Sequence, residues 1–281
     1  MSREVRHGRC MLKLLKSLIS GPRAEPPAPP TLVPPGQRIY AVGDIHGRLD
    51  LFEQMIALIE ADDATRNAQA ALQTPIATTV ILLGDLIDRG PDSAGVIATA
   101  RAWAERRNVR ILAGNHEEMF LGAFEREETL RHFLRHGGRE TLLSYPIDPD
   151  DYARMTLDEL RAAMPQFVPA ADLAFLRGLE DQIRIGDYVF VHAGIRPGVP
   201  LDEQVPSDMR WIRGEFIADR TARDFAVVHG HTIVDEPELS PWRVGIDTGA
   251  YASGRLTAIG LEAAERWLLV TQDESAAPPA G

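Results

Sequence analysis

Cysteine is almost missing: Cys10 is the one thiol among 281 residues. No disulfide can therefore close within the chain, no cysteine-type structural zinc site can form, and a reducing, cytoplasmic setting is the expected home. Long apolar runs are missing as well. Residues 11–20 are apolar on one helical arc, but Lys13 and Lys16 interrupt them, the segment is too short to span a bilayer, and no small-residue cleavage site follows. With Arg3, Arg6 and Arg9 upstream it reads as a frayed tail, with weak contact to an anionic membrane surface as the alternative. Positive charge is the third shortage. The formal net charge is −11, and residues 1–36 carry six Lys/Arg against two Glu, which leaves −15 on the remainder. So acidic a body repels a polyanion at long range, so nucleic acid is not an expected partner.

What remains has the apolar and charged content of an ordinary globular domain, without internal repeats. Residues 22–36 hold seven prolines and almost no charge, so residues 1–36 are expected to be a basic, Pro-rich flexible tail. Residues 274–281 are Ala/Pro-rich and are expected to be disordered. Between them, residues 37–273 repeat a strand, loop, helix pattern. Ile39-Tyr40-Ala41-Val42 leads into Gly43-Asp44-Ile45-His46-Gly47 and an apolar helix over residues 49–61. Val80-Ile81-Leu82-Leu83 leads into Gly84-Asp85-Leu86-Ile87-Asp88-Arg89-Gly90 and a helix over residues 92–106, with Pro91 at its start. Val109-Arg110-Ile111-Leu112-Ala113 leads into Gly114-Asn115-His116-Glu117. Three such units predict an α/β fold with parallel strands and crossover helices. Residues 118–182 turn helical and irregular, and are expected to cap one side of the site. Strands then return before His192-Ala193-Gly194 and His229-Gly230-His231-Thr232, and the runs at residues 243–246, 256–261 and 267–270 are expected to close a second sheet.

Each apolar run thus ends in a polar residue able to bind a metal: Asp44, His46, Asp85, Asn115, His192 and His231. Oxygen and imidazole donors without thiolate suit divalent Mn, Fe or Zn. Six donors exceed one ion with an open position, but suffice for two ions sharing a carboxylate. No residue stands out as a covalent nucleophile. His229, His132, His136 and Asp247-Thr248-Gly249 take structural readings: a strand end, an exposed helix face and a turn. Tyr251 could reach the site from that turn.

The five ordered blocks together resemble the calcineurin-like metallophosphoesterases, and among them the bacterial and phage phosphoprotein phosphatases. The resemblance implies a four-layer αββα sandwich of two mixed β-sheets flanked by helices, with a helical insertion. It implies two divalent ions, Mn first with Fe or Zn as alternatives. Asp44, His46 and Asp85 would hold one, and Asp85 would bridge to a second held by Asn115, His192 and His231. By the same likeness His116 is the general acid, Asp88 orients it, Arg89 binds phosphate, and Arg213 matches a second phosphate-binding arginine more loosely. Such a dinuclear site, with its two carboxylates and a hydroxide, is about +1 and attracts a phosphate dianion.

One position departs from the pattern. The best-known protein phosphatases carry an arginine where this chain has Ala113, which weakens the case for phosphoserine and phosphothreonine more than the case for hydrolysis. The expected activity is hydrolysis of phosphate monoesters in a phosphoprotein, including phosphotyrosine, or in a small phosphoester. Symmetrical cleavage of bis(5'-nucleosyl)-tetraphosphates is the alternative. A non-catalytic scaffold is the reading from another class, and the full set of ligands with His116 and Asp88 speaks against it.

Overall fold

A computed structural model describes residues 31–70 and 76–271. Residues 1–30, with Cys10 and the amphipathic segment, and the tail from residue 272 lie outside the described residues. In chain order the elements are β1 (Gln37–Val42), α1 (Leu49–Ala70), β2 (Ala77–Leu82), α2 (Ser93–Ala104) and β3 (Val109–Ile111). Then come α3 (Asn115–Ala123), α4 (Glu127–Phe133), a π turn, α5 (Arg139–Leu143), α6 (Pro149–Arg154), α7 (Leu157–Phe167) and α8 (Ala170–Arg177). The last third holds β4 (Gln182–Ile185), β5 (Tyr188–Val191), α9 (Pro206–Trp211), α10 (Gly214–Ala218), β6 (Ala226–His229), β7 (Glu238–Leu239), β8 (Arg243–Gly245), α11 (Ala250–Ser253), β9 (Thr257–Glu262) and β10 (Glu265–Val270).

The central strands are apolar on both faces because each face meets a different core. Ile39, Ala41, Ile81 and Leu83 point toward Tyr188, Phe190, Ala226 and Val228 of the other sheet. Their neighbours Tyr40, Val42, Val80 and Leu82 point the other way, onto α1, α2 and the helices from α3 to α8. Val189, Val191 and Val227 face outward onto Met209, Ile212 and Phe216 of the α9–α10 segment. Alternation along each strand thus builds the layers helix, sheet, sheet, helix. Each fully buried aliphatic or Phe in them contributes about 1.5–3 kcal/mol.

The first sheet runs β10, β9, β1, β2, β3, and the second β4, β5, β6, β8, β7. The pairs β1–β2, β2–β3, β5–β6 and β6–β8 are parallel, so their loops gather at one edge. The expectation that all three last runs close the second sheet is corrected. Only β8 does so; β9 pairs antiparallel with β1, and β10 with β9. In that register Ile259 and Leu261 face the shared core beside Ile39 and Ala41. Strand pairing is a long-range choice that apolar alternation in one strand does not encode.

Two helices differ from their sequence-based limits. α1 continues nine residues past residue 61 because its second half is anchored by polar groups: Arg38 Nη1 donates to Asp63 Oδ1 at 2.7 Å, and Tyr40 Oη to Asp62 Oδ2 at 2.6 Å. Apolar periodicity cannot detect such an anchor. α2 begins at Ser93, with Asp92 as its cap accepting from Gly95 N at 2.7 Å, so Pro91 precedes the cap. Ahead of β1, Val33 is already buried and donates to Ala263 O. No described helix is long and apolar enough to cross a membrane.

Candidate metal centre

The loops after β1, β2, β3, β5 and β6 meet at the shared edge and are bonded to one another. The amides of Ile45 and His46 both donate to Asp85 O, Gly90 N donates to His46 O, and Gly230 N donates to His192 O. Glycine is required where they touch: a Cβ on Gly114 would lie 2.1 Å from Asp85 Oδ1, and one on Gly230 would lie 1.9 Å from Asp44 Oδ1. Backbone strain gathers here too. Six described non-glycine residues have positive φ, and five of them are His46, Asp85, Asp88, Arg89 and His231. Each costs on the order of 1–3 kcal/mol and persists only where the surroundings impose it.

Asp85 is the centre of the geometry. Its Oδ2 faces His46 Nε2 at 3.6 Å and His116 Nε2 at 3.8 Å, while its Oδ1 faces His192 Nε2 at 3.4 Å. Two groups of donors therefore share this carboxylate, His46 with His116 and His192 with His231. The imidazoles are aimed by their other nitrogen or by the backbone. His46 Nδ1 donates to Ile87 O at 2.8 Å and His192 Nδ1 to Leu83 O at 2.8 Å, while His231 hydrogen-bonds the Trp211 backbone. The facing Nε2 of His46 therefore presents a lone pair, whereas burial of His192 is outweighed by Asp85, which raises its pKa, so its Nε2 becomes a ligand when a cation displaces that proton.

Around His192 the acceptors crowd. Its Nε2 stands 3.1 Å from Asn115 Oδ1 as well as near Asp85, and the Nε2 of His231 is buried without any partner among the described residues. Lone pairs converging on a common space in a buried site are what a cation relieves, so these residues fit a divalent ion of the kind their sequence suggested. Burial pushes the pKa of His231 down, and pushes that of His46 down to about 3, so both stay neutral and able to ligate.

Asp44 is tied to the loop after β6. Both its oxygens accept from His231 N, at 3.2 and 3.0 Å, and its pKa is raised well above the ordinary range by burial and by the neighbouring Asp247 and Asp85. Asp247, which the sequence reading left as a turn, is thus part of the centre, 2% exposed and hydrogen-bonded to Asp44. Glu117 closes the Gly114-Asn115-His116-Glu117 motif. Its carboxylate accepts from the amides of Asp85, Leu86 and Gly114 at 2.8–2.9 Å, joining two ligand loops, and burial pushes its pKa up to about 7.

His116 lies in the first turn of α3, with Nδ1 2.5 Å from Asp88 Oδ2. Burial opposes its charging, but Asp85 and Asp88 outweigh that and raise its pKa, while burial raises Asp88 to about 6. Thr141 Oγ1, in the helical insertion, donates to Asp88 Oδ1 at 2.5 Å and accepts from Asp88 N at 2.9 Å; no sequence signal marked it. Arg89 spans the centre: Nη1 donates to His46 Nε2 at 2.9 Å and Nη2 to His116 Nε2 at 3.1 Å, and its amide donates to Gly137 O. Tyr251 does reach the site, its ring 4.5 Å from the Arg89 guanidinium carbon and 5.4 Å from the His46 ring. Arg213 is exposed at the start of α10, close enough for its charge to depress His231, and has no ion pair among the described residues. His229 is a buried strand-end residue, and His132 and His136 are exposed, as read.

The family model for calcineurin-like phosphoesterases matches residues 37–270. The chain belongs to that family. This calcineurin-like phosphoesterase is 29% identical to the protein named bis(5'-nucleosyl)-tetraphosphatase PrpE [asymmetrical] of Geobacillus thermodenitrificans (strain NG80-2), over 79% of this chain and 89% of the relative. It is 30% identical to the protein of the same name from Bacillus anthracis (strain CDC 684 / NRRL 3495), over 78% of this chain and 88% of the relative. A crystal structure described as that of a candidate diadenosine tetraphosphatase superposes with a TM-score of 0.56 at 20% identity, covering 86% of this chain and 98% of the other, which supports the two-sheet fold. The chain is therefore a metal-binding hydrolase of the metallophosphoesterase type.

Proposed function

We infer that the protein hydrolyses dinucleoside polyphosphates, cutting bis(5'-nucleosyl)-tetraphosphates asymmetrically, with two divalent ions held about Asp85. The observation that carries the reading is the Asp85 carboxylate, turned with one oxygen toward each pair of imidazoles. His46, Asp85 and Asp44 would hold one ion, and Asp85, Asn115, His192 and His231 the other. Ions so held would supply Lewis acidity and lower the pKa of a water toward neutrality.

The chain's own residues do the rest. Arg89 Nη1 donates to the single lone pair of His46 Nε2, which an ion would occupy instead, and Arg89 would then bind a phosphoryl oxygen through its guanidinium fork. Tyr251 backs the guanidinium and limits where it can go. Once Arg89 turns to the substrate, His116 Nε2 is free to carry the proton that the raised pKa retains, and it delivers this proton to the departing oxygen. Asp88, fixed by Thr141 and Ser93, keeps the imidazole in line.

The names of the relatives favour the nucleotide substrate over a phosphoprotein, and Ala113 in place of an arginine points the same way. Diadenosine tetraphosphate with Mn is expected to yield ATP and AMP, with turnover abolished by a chelator and restored by added metal. Equal amounts of two ADP would replace asymmetric with symmetric cleavage, and a phosphopeptide turned over in preference would return the protein-phosphatase reading to first place. Undiminished turnover in chelator would remove the metal from the reaction altogether.

A further inference from the structure

A groove of about 530 Å³ opens beside the metal centre, between α4 and the end of α9, and none of the expected catalytic residues lines it. Both its walls are attached to the centre. One follows from α3, whose first turn carries Asn115 and His116; the other is Trp211, whose backbone hydrogen-bonds the His231 ring. Glu118 ties them together, accepting from Trp211 Nε1 at 3.4 Å and from Arg210 Nη1 at 3.1 Å. His132, on the α4 side, has its pKa lowered by burial and by the charges of His136, Arg135 and His116.

The wall on the α4 side bears Arg126, Arg131 and Arg135, all exposed. Arg126 and Arg135 have no ion pair among the described residues, and Arg131 has only Glu127. Glu128 is the one acid there without an ion pair among the described residues. Both guanidiniums are available to an anionic ligand although the body carries −15, and beyond Lys16 every lysine or arginine of the chain is an arginine. Across from them the Trp211 indole is 37% exposed. Guanidinium forks suit phosphate oxygens, and an indole face suits a purine. The volume lies within the range of small-molecule sites.

We propose that this groove is the subsite for the nucleoside polyphosphate half of the substrate, with Arg126 and Arg135 on its phosphates and Trp211 under its base. The proposal rests on the reading of the chain as a dinucleoside polyphosphate hydrolase, and it assigns the part of the substrate that leaves. Its occupant would be held outside the metal centre while the scissile phosphorus lies within it.

The full chain with Mn is titrated calorimetrically with ATP as the probe, and kcat/KM is measured for diadenosine tetraphosphate and for p-nitrophenyl phosphate. The double variant Arg126→Ala/Arg135→Ala is expected to weaken ATP tenfold or more and to shift the ratio of the two kcat/KM values against the tetraphosphate to the same extent. Trp211→Ala is expected to weaken ATP about tenfold, the worth of one stacked base, and Trp211→Phe to restore it. ATP affinity within twofold of wild type in both the double variant and Trp211→Ala would overturn the subsite. So would a phosphopeptide KM that depends on Arg126 and Arg135 while ATP binding does not. A wild type that binds ATP through these residues yet cleaves no diadenosine tetraphosphate would sink the proposed function and keep the groove; cleavage with ATP binding indifferent to them would do the reverse.

Discussion

The protein buries two dense clusters of charge, and they are built in opposite ways. Around Arg38, which is 1% exposed, opposite charges meet directly: Nε donates to Glu262 Oε2 at 2.6 Å, and Nη1 to Asp63 Oδ1 at 2.7 Å and Asn67 Oδ1 at 3.0 Å. Asp63 accepts further from Thr78 and Arg107, and the cluster rests on regular strand and helix. Around Asp85 the acceptors face one another, His231 Nε2 has no partner among the described residues, and the backbone is forced into left-handed geometry at five positions. Burial of charge is common to both, so it identifies neither. A cluster of donors paired with acceptors holds elements together, whereas one with lone pairs left converging is prepared for a cation that arrives from outside.

The largest test of that contrast is Asp85→Asn, which is expected to abolish turnover with any divalent metal. In wild type, added Mn at a hundred times its Kd should stabilise the fold by about 2.7 kcal/mol, and in Asp85→Asn this gain should vanish. Calorimetric melting with and without metal reads both. A full stabilisation by Mn in the variant would mean that Asp85 is not the shared ligand. Next in size, His116→Gln should lower kcat by about two to four orders of magnitude, the usual worth of a positioned acid, while keeping most of the metal stabilisation. An unaltered kcat would remove His116 from proton transfer.

In the other cluster the effects should fall on stability. Asp63→Asn leaves Arg38 with Glu262 and Asn67 and should cost about 3 kcal/mol, the low end for breaking a buried pair, with kcat per folded molecule retained. The pH dependence has a definite sign. Burial opposes ionisation of Asp63, but Thr78, Arg38 and Arg107 hold its pKa below the ordinary carboxylate value. Its contribution is therefore fully present above the unfolded-state pKa and lost as pH falls through the folded one. Chemical denaturation at pH 7 and at pH 3 should give a smaller difference between wild type and variant at the lower pH; an equal difference would separate Asp63 from acid stability.

The two clusters were unequally legible. The metal centre could be read because each ligand loop follows a short apolar strand and carries a glycine, a local pattern repeated after β1, β2, β3, β5 and β6. The Arg38 cluster could not, since Arg38 sits within a strand and its partners come from residues 63, 67 and 262, with nothing local to connect them. The same reason hid the return of β9 to the first sheet, the length of α1, and the roles of Asp247 and Thr141. Asp247 lies in a sequence that reads as a turn, and Thr141 is one hydroxyl in a helix of the insertion. Groups that act across long sequence separations leave no period to detect.

Thr141 is where the closed style of bonding enters the open site, and it gives the smallest effect worth measuring. Its hydroxyl donates to Asp88 Oδ1 and accepts from Asp88 N, with Ser93 Oγ 2.9 Å away, so one side chain serves both the carboxylate and the amide of a left-handed residue. Thr141→Val keeps the shape and removes these bonds. The carboxylate keeps His116 as partner and Ser93 still serves the amide, so the loss should be about 1.4 kcal/mol, or tenfold in kcat, just below the range for one hydrogen bond to a charged group. Thr141→Ser should restore the rate, which a purely packing role for the methyl group would not allow. Metal stabilisation should be unaffected in both variants, because Thr141 touches no ligand. A Thr141→Val enzyme with wild-type kcat would show that Asp88 is positioned by its own loop alone, and that the insertion supports only the backbone of Arg89 through Gly137.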